Sequence, residues 1–302
     1  MSNRTLDSSP QLLPLYLRAA APMIPGASLL PFIPGRASEV PDLELTLPGV
    51  RPDTDAVAAY ARVCGFSLRD HLPPSYPHVL AFPLHMAVMA DGHFPFGAVG
   101  LVHIENRIVQ HRRIGLDEEL ELRVRPTKLE PHPRGRTFTL VTEAWSGRQK
   151  AWEEVSTMLR RGGGAGKAGG SSGGPDAVLE LAAGGEWRLG GDLGRRYAAV
   201  SGDRNPIHMH PLTAKAFGFP RAIAHGMWTE GRCLAALESR LPDAFSVDVR
   251  FRKPILLPGR VEFMSATQGE EIVFAVREPK RKTSHLEGRL RPIEVKQRSG
   301  RR

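Results

Sequence analysis

The run Tyr197-Ala198-Ala199-Val200-Ser201-Gly202-Asp203-Arg204-Asn205-Pro206-Ile207-His208 has a counterpart 137 residues upstream, Tyr60-Ala61-Arg62-Val63-Cys64-Gly65, and with that offset His71 falls on His208. Further along, Pro77 matches Pro220, Ala81 matches Ala224, Leu84 matches Met227 and Arg107 matches Arg250, all now at an offset of 143. One small insertion accounts for the change. Matches that recur in order over roughly fifty residues mark a duplicated unit. Between the copies, Arg161 to Pro175 reads RGGGAGKAGGSSGGP, a Gly and Ser tract that cannot pack and is expected to be a flexible linker. The chain thus divides into 1–160, an N-terminal unit with an extension before it, a linker at 161–176, and 177–302, a second unit ending in a basic tail.

Periodicity outlines each copy. In the second, Met227, Leu234, Leu237 and Leu241 return on one face, which predicts a helix over Gly226 to Leu241. Alternating strands are expected at Ser246–Arg252, Arg260–Ala266, Glu270–Arg277 and His285–Arg291. The first copy repeats the order, with a helix near Pro83–Met89 and strands near Leu101–Val109, Glu118–Arg125, Thr137–Trp145 and Ala151–Leu159. A helix followed by an antiparallel meander is an α+β unit whose sheet wraps around the helix, and a second unit would cover its edge.

The 302 residues, 41% of them hydrophobic, are enough for two medium domains and exclude global disorder. The net charge of +9 suggests an anionic partner, but nine Lys or Arg and two Glu fall within Lys280–Arg302, so most of the imbalance is local. That run lacks interleaved aromatics, and nucleic acid is not expected. Cys64 and Cys233 are too few for a disulfide framework, so a reducing, cytoplasmic setting is the expectation. The uncharged stretch from Ala19 to Gly35 is broken by Pro22, Pro25, Pro31 and Pro34 and makes a poor leader, and no segment reaches the ~20 apolar residues of a membrane span.

The chemistry-bearing residues lie in the second copy. Asn205-Pro206 breaks the helix and starts a turn, so Asp203 and His208 can face one another across it as a proton-transfer pair. Farther on, Ala224-His225-Gly226 opens a helix, and the Gly226 N–H, without an internal partner, can hold a carbonyl oxygen that becomes anionic. His208 and His210 form a His-x-His pair without a third ligand at useful spacing, so no metal is expected.

These residues carry a resemblance. Tyr197 to His208, followed by Ala224-His225-Gly226 and by Val249-Arg250-Phe251-Arg252-Lys253-Pro254, resembles the hydratase motif of the MaoC-like, type 2 (R-specific) enoyl-CoA hydratases and 3-hydroxyacyl dehydratases, over most of residues 177 to 292. The resemblance implies a double hot dog fold, two antiparallel sheets each wrapped around a central helix, and the reversible hydration of trans-2-enoyl thioesters to (3R)-3-hydroxyacyl thioesters without a cofactor. Asp203 and His208 would hold the water and Gly226 would form the oxyanion hole. Tyr197, Ser201, Asn205 and His225 would support the loop, while Arg250, Arg252 and Lys253 would meet the phosphates of coenzyme A or an acyl-carrier protein. A homodimer is a further expectation. Leu234 departs from members that carry a serine there.

The first copy has Phe66 at the place of Asp203, Phe82 at His225 and Pro83 at Gly226. Phe66 cannot accept a proton and proline has no N–H, so this unit is expected to be a non-catalytic scaffold with an apolar acyl pocket. The alternatives from other classes are a hot dog acyl-thioesterase and a non-catalytic acyl-thioester-binding protein.

Overall fold

The computed structural model describes residues 2–21, 37–162 and 181–294. Strand β1 (Ser2–Thr5) and helix α1 (Leu12–Ala20) form the N-terminal extension. The first unit follows as β2 (Leu43–Val50), α2 (Thr54–Cys64), α3 (Tyr76–Met89), β3 (Val102–Gln110), β4 (Leu120–Pro126), the short β5 (Glu130–His132), β6 (Gly135–Ser146) and β7 (Gln149–Arg161). The second comprises β8 (Ala182–Leu189), α4 (Leu193–Ser201), α5 (Pro206–Met209), α6 (Pro211–Ala216), α7 (Gly226–Ala236), β9 (Phe245–Phe251), β10 (Gly259–Gln268), β11 (Glu271–Arg277) and β12 (Ser284–Pro292).

The duplication is visible in the topology. In space the first unit runs β2-β4-β6-β7-β3 and the second β8-β10-β11-β12-β9, which is the same order of first, third, fourth, fifth and second strand. Helices α2 and α4 both end at a glycine in the left-handed region, Gly65 at φ 84° and Gly202 at φ 77°, where a side chain would be strained. The two antiparallel meanders are not separate: β3 pairs antiparallel with β9 and joins them into one twelve-stranded sheet, with β1 added parallel to β2 at one edge.

That seam is symmetric. Glu105 lies opposite Arg250 and Arg107 opposite Asp248, and the repeat equates Glu105 with Asp248 and Arg107 with Arg250. The two ion pairs across it, Arg250 Nε to Glu105 at 3.3 Å and Arg107 to Asp248 at 2.8 Å, are therefore one contact made twice, as in an isologous dimer. Arg250, expected to meet the substrate, thus lies in the seam and is not among the residues that line the cavity of Asp203 and His208.

Three boundaries also differ from expectation. Helix α3 starts at Tyr76, seven residues before Pro83, because Pro77 occupies a first-turn position that suits proline and an apolar run follows. Strand β7 runs through Arg161, since Gly135 and Arg136 pair with Arg161 and Arg160, so the linker begins later than 161, and residues 163–176 lie outside the described residues. Helix α7 stops at Ala236 and passes into a 3₁₀ turn at Glu238–Arg240. Strands β2 and β8 complete the two sheets beyond the four strands expected of each copy. The basic tail after residue 294 lies outside the described residues.

One core runs through both units, and α7 is buried almost all round, including Glu230, which is 0% exposed. Neither Glu230 carboxylate oxygen has a hydrogen-bond partner among the described residues. Burial, with the Glu154 and Asp248 charges adding to it, pushes its pKa well above the usual carboxylate range. An acid whose pKa is raised on folding stabilises the native state below its unfolded pKa of about 4.3 and loses that contribution as pH rises. Glu230→Gln is therefore expected to unfold at the same temperature as wild type near pH 4.5 and at a progressively higher one by pH 8, as followed by circular dichroism melts.

Candidate active site

The segment between α4 and α5 is a tight loop because Asn205-Pro206 stops the helix, and Asp203 ties it down. The Asp203 N–H donates to Ser201 Oγ at 3.2 Å, and Asp203 Oδ1 accepts from the Asn205 N–H at 3.1 Å. His208, on α5, donates Nδ1–H to the Ile223 carbonyl at 2.8 Å, which leaves Nε2 with its lone pair free. His225 caps the start of α7, donates Nε2–H to the Asp203 carbonyl at 3.0 Å and stacks on His208 with ring centroids 3.7 Å apart. Tyr197 from α4 packs its ring on His225 at 4.8 Å. Ring nitrogens of His208 and His225 and a carboxylate oxygen of Asp203 lie within 4.8 Å of one another. Ser201, Tyr197 and His225 thus support the loop that carries Asp203, and Asn205 lines the same cavity as His208.

Electrostatics separate the acid from the imidazoles. Burial raises the Asp203 pKa, but the neighbouring His225 and His208 and the Asn205 N–H outweigh it, and the carboxyl is held below its usual range. Burial lowers both histidines, His225 to about 3, so each is neutral near pH 7. A carboxylate beside a neutral imidazole with a free Nε2 can orient a water and accept its proton.

Gly226 is the first residue of α7, and its N–H lies in the first helical turn, which has no internal acceptor. The place of its missing Cβ is filled by Phe251, whose ring would stand 3.1 Å away, so glycine here makes room for the ring that walls the cavity. The cavity, of about 150 Å³, is lined by Asp203, Asn205, His208, His225 and Gly226 together with Phe82 and Phe251. Arg252 and Lys253 are exposed residues of its rim. Arg252 bonds Glu287 at 2.8 Å, and Lys253 has no ion-pair partner among the described residues. Arg134 and Arg161 of the first unit, not anticipated from sequence, are the other exposed cations on this rim.

His210 turns away and caps α6 through Leu212 N–H, so the His-x-His pair does not form. Among the described residues two other sets have ligand-like spacing, Asp203 with His208 and His225, and His78 with His85 and Glu154. In the first, His208 Nδ1 and His225 Nε2 already donate to carbonyls.

The first unit contributes more than expected. Its wall carries His78, His85, His103 and Ser156, which corrects the expectation of an apolar pocket. His71, aligned with His208, instead sits outside it against the exposed Asp70 at 2.8 Å. Phe82 lines the cavity, and Pro83 lies inside α3. The signal for the polar wall was His78 and His85 seven apart on one face of an apolar helix, and Glu154 and Ser156 two apart on the inward face of β7.

The extension also reaches the site. The Tyr16 hydroxyl on α1 donates to the Gly202 carbonyl at 2.8 Å and accepts from the Arg204 N–H at 2.6 Å, bracketing Asp203. Burial, and next the Asp203 charge, push its pKa far up, so it stays a donor.

A family model for the MaoC like domain matches residues 192–288. The chain is 40% identical over 264 residues to 3-hydroxyacyl-thioester dehydratase X of Mycobacterium tuberculosis, a match covering 83% of this chain and 87% of that one. The crystal structure of HtdX from that organism superposes with a TM-score of 0.74 at 36% identity, covering 83% of this chain and all of that one. Rv0216 of Mycobacterium tuberculosis, described as having a double hotdog fold, matches with a TM-score of 0.50 at 15% identity over 80% of this chain and 92% of that one, a likeness of fold.

Tyr16→Phe removes both bonds to the loop. It is expected to cost about 1–3 kcal/mol in denaturant unfolding and to speed amide exchange at Arg204 while leaving the amides of β11 protected.

Proposed function

Because the chain belongs to the MaoC-like dehydratase family, we propose that it is a hydro-lyase that interconverts (3R)-3-hydroxyacyl and trans-2-enoyl thioesters at the Asp203–His208–Gly226 site. The observation that carries this reading is the His208 Nδ1–H bond to the Ile223 carbonyl, which leaves Nε2 as a base beside the Asp203 carboxylate. In the hydration direction Asp203 orients a water and His208 Nε2 accepts a proton from it as its oxygen bonds to C3. The enolate charge that develops on the thioester oxygen is met by the Gly226 N–H and the positive end of α7, and the proton taken up by His208 is then passed to C2, which collapses the enolate and returns the imidazole to its neutral form. Dehydration is the reverse. The thioester itself acidifies C2, so no cofactor enters this scheme.

The catalytic groups all fall in 177–302, which supports 1–160 as the non-catalytic unit. Arg134, Arg161, Arg252 and Lys253 around the mouth favour a carrier with phosphates, either coenzyme A or a phosphopantetheine arm. The two buried free thiols, Cys64 and Cys233, favour a reducing cytoplasm as the setting. No helix among the described residues is long and apolar enough to cross a membrane.

Wild type is expected to deplete the enoyl absorbance of trans-2-hexenoyl-CoA, and Asp203→Asn and His208→Gln each to lower kcat by about 10²–10⁴-fold. Full activity in either variant would exclude the assignment, and release of free coenzyme A in place of hydration would point to a thioesterase. The lowered His208 pKa sets the sign of the pH dependence: kcat/KM should hold below pH 6.5 and fall only as His208 protonates at lower pH. Lys253→Ala should raise KM several-fold by removing one charge–phosphate contact, whereas Arg250→Ala should leave KM unchanged and cost at most about 1 kcal/mol of stability, as a half-exposed pair does.

A further inference from the structure

The first unit holds a second carboxylate–imidazole pair, whose imidazole lines the same cavity. His78 Nδ1 lies 3.0 and 2.8 Å from the two oxygens of Glu154, which is 0% exposed and also accepts from Asn106 Nδ2 at 2.6 Å. Asn106 Nδ2 lies 3.1 Å from Ser156 Oγ, and His85 Nε2 lies 2.7 Å from Thr142 Oγ1. All five of these groups around His78 come from α3 and the inward faces of β3, β6 and β7, positions that otherwise hold apolar side chains.

Each partner favours the charged form of the other. Burial works against the His78 imidazolium, but the Glu154 charge and hydrogen bond prevail and raise its pKa. Against its own burial, the His78 charge and hydrogen bond hold Glu154 down at about 2. His85 and His103, lowered by burial to about 3 and 4, stay neutral. Burying an ion pair costs several kcal/mol per ion before its attraction is counted, and an apolar pair of the same volume often serves stability as well. A pair used only for packing would also be sealed. His78 is not: its side chain keeps 11% exposure, it lines the cavity, and with Nδ1 on Glu154 its Nε2–H has no partner among the described residues.

Phe82 lines that cavity beside His78. That ring lies 3.5 Å from where a Gly202 Cβ would stand and 6.4 Å, centroid to centroid, from His78. Phe82 thus packs near both His78 and the loop that carries Asp203, and since His78, Asp203 and His208 line one cavity, an acyl chain whose C2 and C3 lie at Asp203 and His208 shares that cavity with His78.

We propose that His78, fixed by Glu154 and Asn106, is a polar subsite that selects acyl thioesters bearing a hydroxyl or keto oxygen beyond the reacting C2–C3 pair, with Nε2–H as the donor. The location of C2 and C3 rests on the proposed reaction, but the donor and its ligand class do not require turnover. The test is accordingly a binding titration with saturated thioesters that cannot be hydrated or dehydrated: hexanoyl-CoA, 5-hydroxyhexanoyl-CoA, 6-hydroxyhexanoyl-CoA and 5-oxohexanoyl-CoA, by calorimetry on the full chain. At least one oxygenated chain is expected to bind wild type roughly tenfold more tightly than hexanoyl-CoA, equivalent to about 1.4 kcal/mol. In the double variant His78→Leu with Glu154→Gln, which removes both charges together and keeps an amide facing Asn106, that ratio should fall to about 1. Equal or weaker binding of every oxygenated chain to wild type overturns the proposal whether or not the variant folds, and so does a preference that survives the double substitution. Failure of trans-2-hexenoyl-CoA hydration with the preference intact would count against the reaction alone.

Discussion

The pairing of β3 with β9 is the constraint on which everything else rests. Each half could close its own sheet only by leaving a long, inward-curving edge strand with unmet N–H and C=O groups, and the antiparallel register Glu105 to Arg250 through Gln110 to Phe245 satisfies both edges at once. Because the register is self-complementary under the duplication, the same two charges appear on each side and meet their opposites. A one-residue slip would set like charges closer and turn the inward face of each strand outward. With the register held, His103 and Phe251 line a single cavity with ring centroids 5.0 Å apart, and the α7 ring of Trp228 can donate to the Val63 carbonyl of α2 at 3.0 Å across the units. The cavity is thus a property of the seam. Neither unit by itself encloses it.

Within that frame the reactive loop is held by contacts from three directions. Its own side chains form turns around Asp203, His225 reaches it from the start of α7, and Tyr16 grips both flanking peptides from an element 188 residues away in sequence. A helix start, a helix end and a separate helix converge on four residues, so Asp203 needs little side-chain entropy loss on meeting a ligand. The stack of His208 on His225 places two imidazoles in a dry site, and burial keeps both neutral there, which is the form a base must have.

Much of this was legible in the sequence because it is local. The repeat, the strands, and the Tyr197 to His208 loop with Gly226 opening a helix follow from spacing and from the chemistry of Asn-Pro and Gly. What was hidden depends on distance in the chain. Nothing near Tyr16 announces that its hydroxyl will lie beside Asp203, and Arg250 sits in a run that resembles a phosphate-binding one until Glu105 is known to face it. Pro83 misled in another way: it looked like a helix start because its partner Gly226 is one, whereas the helix begins at Tyr76, seven residues sooner, with Pro77 in its first turn. His78 and Glu154 were readable as polar residues on apolar faces, but their pairing joins α3 to β7 and needs the sheet.

The two copies differ in where their polar side chains lie. Phe66, Phe82 and Pro83 remove the acid, the imidazole and the donor N–H from the first unit, and Phe82 then becomes wall for the site of the second. Had hydrophobicity been the only pressure on that wall, Asn106, Thr142, Glu154 and Ser156, all no more than 2% exposed, would be expected as valine or leucine, since a half-satisfied network is worse than none. Within the network Glu154 is met by two donors and His85 by Thr142, Asn106 Oδ1 has no partner among the described residues, and the His78 Nε2–H faces the shared cavity. The first unit thus holds a carboxylate and an imidazole of its own on β7 and α3, and the imidazole faces the cavity that Asp203, His208 and His225 also line.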